Sequence, residues 1–411
     1  MAGSRFSFDP ADPALLSDPY PVFARLRADD PVHWSDHGFW VATRHEDVRS
    51  VLMDRERFGQ GDFIKNIQLF YGPDFDVLSH PAYRWLSEVF VFQDPPKHTR
   101  LRGLVTQALT AKRVAAMRPR IQAICDDLID RLAPQGGAEI IHDFAYQLPT
   151  QVMCDMLGIT ADEASETMLA DLNRAIAESF LVFGMEALPP EILARADRQM
   201  LFMETFFSGI FEARRQNPRD DLATDLLNAR DGGSRLTERE MVTVAIALFG
   251  AGFETTAHMI GNGLLTFARY PDEWARLVAN LDHAKAASDE VLRYESSLIA
   301  TYRTALCDAD IAGTSIKAGQ RVLCIVGSAN RDAAVFAHPE QFDIGRADAT
   351  KHLSFGGGIH FCVGAQLARL EGEIAFETLA RRLPGLLIDT ETPQWRDGLL
   401  FRGLSRLDAR W

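Results

Sequence analysis

From about Pro95 onward, apolar residues recur at helical spacing, as in Leu101, Val105 and Leu109 and again in Ile121, Ile124, Leu128 and Leu132. That three-and-four rhythm turns one face of each helix toward a core. Residues 39–43 (FWVAT) read instead as a short strand, and strand character returns between residues 309 and 326, where two β-rich runs flank the turn Lys317-Ala318-Gly319. The pattern predicts a mainly α fold with a small β-sheet region. One predicted helix stands apart. Thr237 and Glu240 form a capping box, and the apolar run that follows continues until Tyr270 meets Pro271, whose ring cannot extend a helix. About 30 residues at about 1.5 Å each give roughly 45 Å, enough to cross the molecule. Its middle is unusual: Gly250 and Gly252 sit where glycine costs about 1 kcal/mol relative to alanine. Glu254-Thr255-Thr256 then places polar groups beside the apolar stretch. Taken alone, this fits either close packing with Glu254 turned to solvent or a functional site.

Composition narrows the class. With 411 residues, 47% hydrophobic and 24% charged, the chain has ample material for a core. A formal charge of -14 argues against nucleic-acid partners, which call for a dominant basic field. The N-terminus lacks a basic run followed by an apolar stretch. The uncharged apolar run at 241–253 is shorter than the roughly 18 residues of a membrane span, so a buried helix is expected and no membrane partner. Five well-separated cysteines with no CxxC pair fit a reducing cytoplasm and offer no zinc site. No repeat, low-complexity tract or linker appears, so residues 1–411 read as one domain.

The most informative segment is Phe355-Gly356-Gly357-Gly358-Ile359-His360-Phe361-Cys362-Val363-Gly364-Ala365. It sets a cysteine between a glycine-rich loop and a strongly helical run at 365–383. Unpaired backbone N–H groups and the positive end of the dipole stabilise a thiolate there, which is how a chain holds a sulfur ligand for a metal. A dinucleotide loop is excluded because GxGxxG needs glycine where Phe361 stands. An ordinary buried cysteine remains the alternative on these residues alone.

The segment FGGGIHFCVG resembles the haem-binding loop of the cytochrome P450 family, Phe-x-x-Gly-x-His/Arg-x-Cys-x-Gly, with every specified position filled. Three further motifs occur in the family's order. Glu290-Val291-Leu292-Arg293 is similar to the family's Glu-x-x-Arg, in which two residues on one helix face pair as a structural lock. The third partner of that lock is left open, since the downstream Pro339-Glu340-Gln341-Phe342 offers an uncharged Gln341. Residues 251–256 (AGFETT) are similar to the oxygen-activation stretch. There Ala251 and Gly252 make room for oxygen, while Glu254 and Thr255 form an acid–alcohol pair that delivers protons. Residues 94–102 (DPPKHTRLR) complete the set.

The resemblance implies a P450-type fold with haem b held between the long central helix and the cysteine loop, Cys362 being the iron ligand. Phe355, Gly364 and Ala251 would pack against the haem, and His98, Arg102, Arg303 and His360 would bind its two propionates. It further implies a monooxygenase that inserts one atom of O2 into a C–H bond. The stretch 58–92, expected to form a loop over the pocket, holds eight aromatics from Phe63 to Phe92, which suggest an apolar small organic substrate. Phe90, Val91, Phe253, Leu298, Ile299, Leu399 and Leu400 are placed at the pocket by analogy. Seven Lys or Arg and no acid at 97–120 suggest a basic patch for an acidic ferredoxin-type electron donor. A haem-thiolate peroxygenase, which dispenses with the acid–alcohol pair, and a non-enzymatic haem protein are the alternatives.

Overall fold

The computed structural model describes residues 7–184, 186–231, 233–391 and 393–411. The long helix at its centre runs Glu238–Arg269, and both hydrogen bonds of the Thr237/Glu240 capping box are present. Nearly every residue from Met241 to Phe267 is buried. The helix is long and apolar enough for a membrane span by length and composition, but protein surrounds it on all sides, as befits a core helix. Helices Gln147–Leu157, Pro190–Gln216, Ala284–Tyr294 and Ala365–Arg382 all pack on it. Its glycines permit close approach: a Cβ on Gly250 would lie 2.4 Å from Phe180, one on Gly252 2.7 Å from the Met153 sulfur, and one on Gly263 2.4 Å from Phe376. Helices Arg118–Leu132 and Ala284–Tyr294 flank Ala365–Arg382, the helix that begins just after the cysteine loop.

The sheet lies to one side. Its five strands run in the order Val32–Ser35, Phe39–Ala42, Arg321–Cys324, Thr301–Ala305 and Phe58–Gly59. All neighbours are antiparallel except Phe39–Ala42 with Arg321–Cys324. The run before Lys317 instead folds into its own hairpin, Ala309–Ile311 with Thr314–Ile316. Pairing Arg303 with Val322 fixes where the Arg303 side chain leaves the sheet.

The segment expected to be a loop over the pocket is mostly helical. Asp62 caps Phe63–Tyr71 by accepting from the Lys65 N–H, and Pro81 opens Pro81–Glu88. Tyr71, Phe75 and His80 stack on one another, while Trp85 packs on Phe180 and Phe92 on Phe183. An aromatic-rich stretch therefore builds its own wall, with capped helix starts that an aromatic count does not reveal.

Candidate active site

Cys362 is set by a loop that the backbone holds from both ends. Its N–H donates to the Phe355 carbonyl (2.9 Å), and Gly356 and Gly358 take φ of 69° and 61°, which favour glycine. At Gly358 a Cβ would also lie 2.5 Å from the Leu52 carbonyl oxygen, so the loop is pressed onto helix His45–Met53. The Phe355 ring lies beneath the Arg369 guanidinium at 4.6 Å. Cys362 has accessible surface, and what it faces is an internal cavity of about 300 Å³. Burial pushes its thiol pKa up, while the Gly364 and Ala365 N–H groups and the cations Arg102 and Arg369 pull it down. The thiol therefore waits for a positive ligand to complete it as a thiolate.

Around the same cavity lies a set of donors without acceptors. His360 is half-buried, with both ring nitrogens shielded from solvent and neither bonded, and His98, packed on it at 4.4 Å between ring centres, has no well-formed hydrogen bond at either nitrogen. Desolvation lowers the His98 pKa to about 4 and that of His360 to about 2, helped by Arg102 and Arg303. Arg303 is 5% exposed, and its guanidinium donates to a backbone carbonyl of the adjoining Tyr302 at 2.8 Å. Arg102 donates to the Phe361 carbonyl at 2.5 Å. Buried cations and imidazoles with so few acceptors call for anions from outside the chain. A flat cofactor carrying two carboxylates, placed over a cysteine, fits this donor set. His98 stands one layer behind His360, while Arg102, Arg303 and His360 line the cavity itself.

The opposite wall is the central helix. Ala247, Leu248, Ala251, Gly252 and Thr255 line the cavity, following the helical repeat. The Thr255 hydroxyl donates to the Ala251 carbonyl at 2.7 Å. Glu254 borders the cavity, but its carboxylate turns the other way and pairs with Arg396 at 3.2 Å. Arg396 in turn donates to the Tyr146 hydroxyl (2.7 Å), which lies 3.4 Å from His258 Nε2. Burial raises the Glu254 pKa and Arg396 opposes that rise. Sequence reasoning missed Arg396 and Tyr146 because neither belongs to a motif and both lie far along the chain from Glu254.

Of the expected pocket residues, Phe90, Val91, Leu298 and Leu400 line the cavity, together with Trp85, Phe92, Phe180 and Phe183. Phe253 and Ile299 do not, and Leu399 is also off the wall. Phe253 falls on the far side of the helix from Ala251 and Thr255 and packs against Phe249 and Tyr146. Ile299 sits just before strand Thr301–Ala305, and although its neighbours Leu298 and Ala300 are on the wall, its own side chain packs in the core beneath Gly327.

The Glu290/Arg293 pair is fully buried, with contacts of 2.7 and 2.8 Å. The open third position is filled by Arg346, 3.2 Å from Glu290, and Glu290 also accepts from the Asp343 N–H. Gln341 contributes its backbone carbonyl to Arg293 rather than its amide. The basic run at 97–120 is largely neutralised. Arg100 pairs with Glu240, Arg113 with Asp220 and Asp225, Arg118 with Glu373, and Arg120 with Asp155. Lys97 and Lys112 remain exposed. A count along the chain could not see acids arriving from distant helices.

Comparison with known proteins agrees with this arrangement. The sequence profile described as Cytochrome P450 matches residues 44–396. The chain is 35% identical over 410 residues to the cytochrome P450 monooxygenase PikC of Streptomyces venezuelae, covering 97% of this chain and 92% of that one. It is 33% identical over 400 residues to the 6-deoxyerythronolide B hydroxylase of Saccharopolyspora erythraea, covering 96% of each. Among solved structures, CalO2 superposes with a TM-score of 0.89 at 28% identity, covering 98% of both chains. P450BioI bound to an acyl carrier protein carrying hexadec-9Z-enoic acid gives 0.87 at 30% identity, covering 98% of this chain and 100% of that one. The chain belongs to the cytochrome P450 family, whose members are oxidoreductases that bind haem b through a cysteine thiolate.

Proposed function

We propose that this haem monooxygenase, a single domain over residues 1–411, hydroxylates an apolar small organic substrate. Its electrons come from a separate ferredoxin-type protein. The observation that carries the reading is one chamber with Cys362 on one wall, Thr255 on the facing wall and an apolar, aromatic roof between them. Haem bound through Cys362 supplies the activation of O2 and the cleavage of its O–O bond. Arg102, Arg303 and His360, with His98 behind, would hold the propionates.

Thr255 stands on the cavity wall with its hydroxyl committed to the Ala251 carbonyl. From there it can hold a water or an oxygen by turning its proton outward. Glu254 borders the same space with its carboxylate on Arg396. It would pass protons inward when that pair loosens, which gives the acid a resting position and a working one. Trp85, Phe90, Phe92, Phe180, Phe183 and Phe401 form the roof. An aromatic roof without a charged side chain favours a substrate with large apolar surface and excludes water once it is seated. Named relatives include a vitamin D(3) 25-hydroxylase, a polyketide biosynthesis cytochrome P450 and a 6-deoxyerythronolide B hydroxylase, and one solved neighbour is in complex with testosterone. These chemistries share that apolar surface.

The test is a panel of macrolactones, steroids and fatty acyl compounds, scored by the low-to-high-spin optical shift. Hits are then turned over with a ferredoxin and its reductase under isotopically labelled O2. One labelled oxygen atom in the product supports the reading. Turnover with hydrogen peroxide but not with the reductase system would replace it with peroxygenase chemistry.

A further inference from the structure

An ion pair behind the cysteine loop has no part in the chemistry described so far. Arg369 stands one turn into helix Ala365–Arg382, on the face of Ala365, whose N–H is among the groups directed at the Cys362 sulfur. Its guanidinium is held on two sides. Nε donates to Asp289 Oδ1 at 2.6 Å, and Cζ stands 4.6 Å from the centre of the Phe355 ring. The carbonyl of that same Phe355 accepts from the Cys362 N–H. His352 meets Asp289 Oδ1 at 3.4 Å, and its Nδ1 accepts from the Ser354 N–H at 3.1 Å, so the proton on Nε2 faces the carboxylate.

The Arg369 side chain is 31% exposed and that of Asp289 8%, so the pair spans the border between solvent and core. Neither residue borders the cavity, which puts both out of reach of substrate and oxygen. They act through the cysteine loop. Two cations bear on the sulfur, Arg102 and Arg369, and only Arg102 also lines the cavity. Reduction adds one negative charge beside that sulfur. A fixed cation favours the added charge and a fixed anion opposes it, by an amount that grows as water is excluded.

We propose that Arg369 and Asp289 are positioning residues that set the reduction potential of haem iron bound through Cys362. The cation over Phe355 favours the electron, while Asp289 fixes that cation in place and limits its pull. The donor loses one electron and ferric iron gains it. The inference rests on the haem monooxygenase reading for the ferredoxin-type donor of that electron.

The test is a spectroelectrochemical titration of substrate-free holoenzyme at about pH 8, where Asp289 stays ionised. A normal carbon monoxide band in each protein checks thiolate ligation separately, so a failed assignment of Cys362 is told apart from a failed inference. Arg369→Gln is expected to lower the midpoint potential, by about threefold in the ferric–ferrous equilibrium for a partly screened charge. Arg369→Lys should restore most of that loss. Asp289→Asn is expected to raise the potential, and the Arg369→Gln, Asp289→Asn double variant to fall between the two single ones. Disturbed packing alone would move both single variants the same way. Shifts of one sign in both, equal potentials in all the proteins, or a lysine variant that behaves like the glutamine one would each overturn the proposal. Where Asp289→Asn folds poorly, the glutamine and lysine variants at 369 still decide.

Discussion

Replacing Arg396 with leucine removes the partner of Glu254 and tests whether that pair holds the acid in its ionised resting form. The two groups meet at 3.2 Å with side-chain exposures of 27% and 7%, so the pair is largely but not wholly dry. Breaking a fully buried pair from one side costs about 3–5 kcal/mol. Glu254 has a cheaper escape, because it can take up a proton. From an ordinary glutamate pKa of about 4.3, protonation at about pH 7 costs roughly 3.7 kcal/mol, and burial has already raised the Glu254 pKa and shortened that climb. Destabilisation is therefore capped near 3 kcal/mol, and about 2 kcal/mol is expected, part of it from the lost Arg396–Tyr146 hydrogen bond. The sign of the pH dependence follows. A carboxyl whose folded pKa lies above its unfolded value binds its proton more tightly when folded, so it favours folding at low pH and loses that contribution as pH rises. Removing Arg396 raises the folded pKa further. The stability gap between wild type and Arg396→Leu should then be widest near about pH 7 and should shrink toward about pH 4, where Glu254 is protonated in both states. Urea denaturation across that range reads it directly, and Glu254→Gln in the Arg396→Leu background should recover most of the loss. A gap that stays constant with pH, or a double variant no more stable than Arg396→Leu, would refute the electrostatic account.

The other expectations are more direct. Thr255→Ala should consume electrons with oxygen lost as peroxide and little product, measured as product formed per NAD(P)H oxidised; an unchanged ratio would count against proton handling on that wall. Cys362→Ser should abolish the red-shifted carbon monoxide band while haem content is checked by extraction, and a retained band would place the iron ligand elsewhere. Glu290→Gln leaves Arg293 and Arg346 without their shared carboxylate in a site with no solvent access. About 3–5 kcal/mol should be lost, read as a lower denaturation midpoint and poorer haem retention. Because four of the basic residues at 97–120 are already paired with acids, the rate of reduction by an acidic ferredoxin should depend only weakly on salt. Lys97→Glu with Lys112→Glu should slow it more than charge reversal at Arg113 or Arg120.

What the sequence made legible was whatever is encoded locally. The capping box at Thr237, the stop at Tyr270-Pro271 and the start of the helix after Cys362 each depend on residues within one turn of one another, and the structure has all three. The helical repeat is equally legible, and it separates the residues of the central helix that face the cavity from those that do not. Counting from Ala251 shows Phe253 on the opposite face, whereas Ile299 lies in irregular backbone before the strand, where no periodicity gives its direction.

The charge partners that local spacing leaves open are of another kind. Arg346 reaches Glu290 from 56 positions away, Arg396 reaches Glu254 from 142 positions away, and the acids that neutralise the basic run come from other helices. Nothing in local spacing marks such partners, because burial makes them necessary and only the packed fold decides which elements meet.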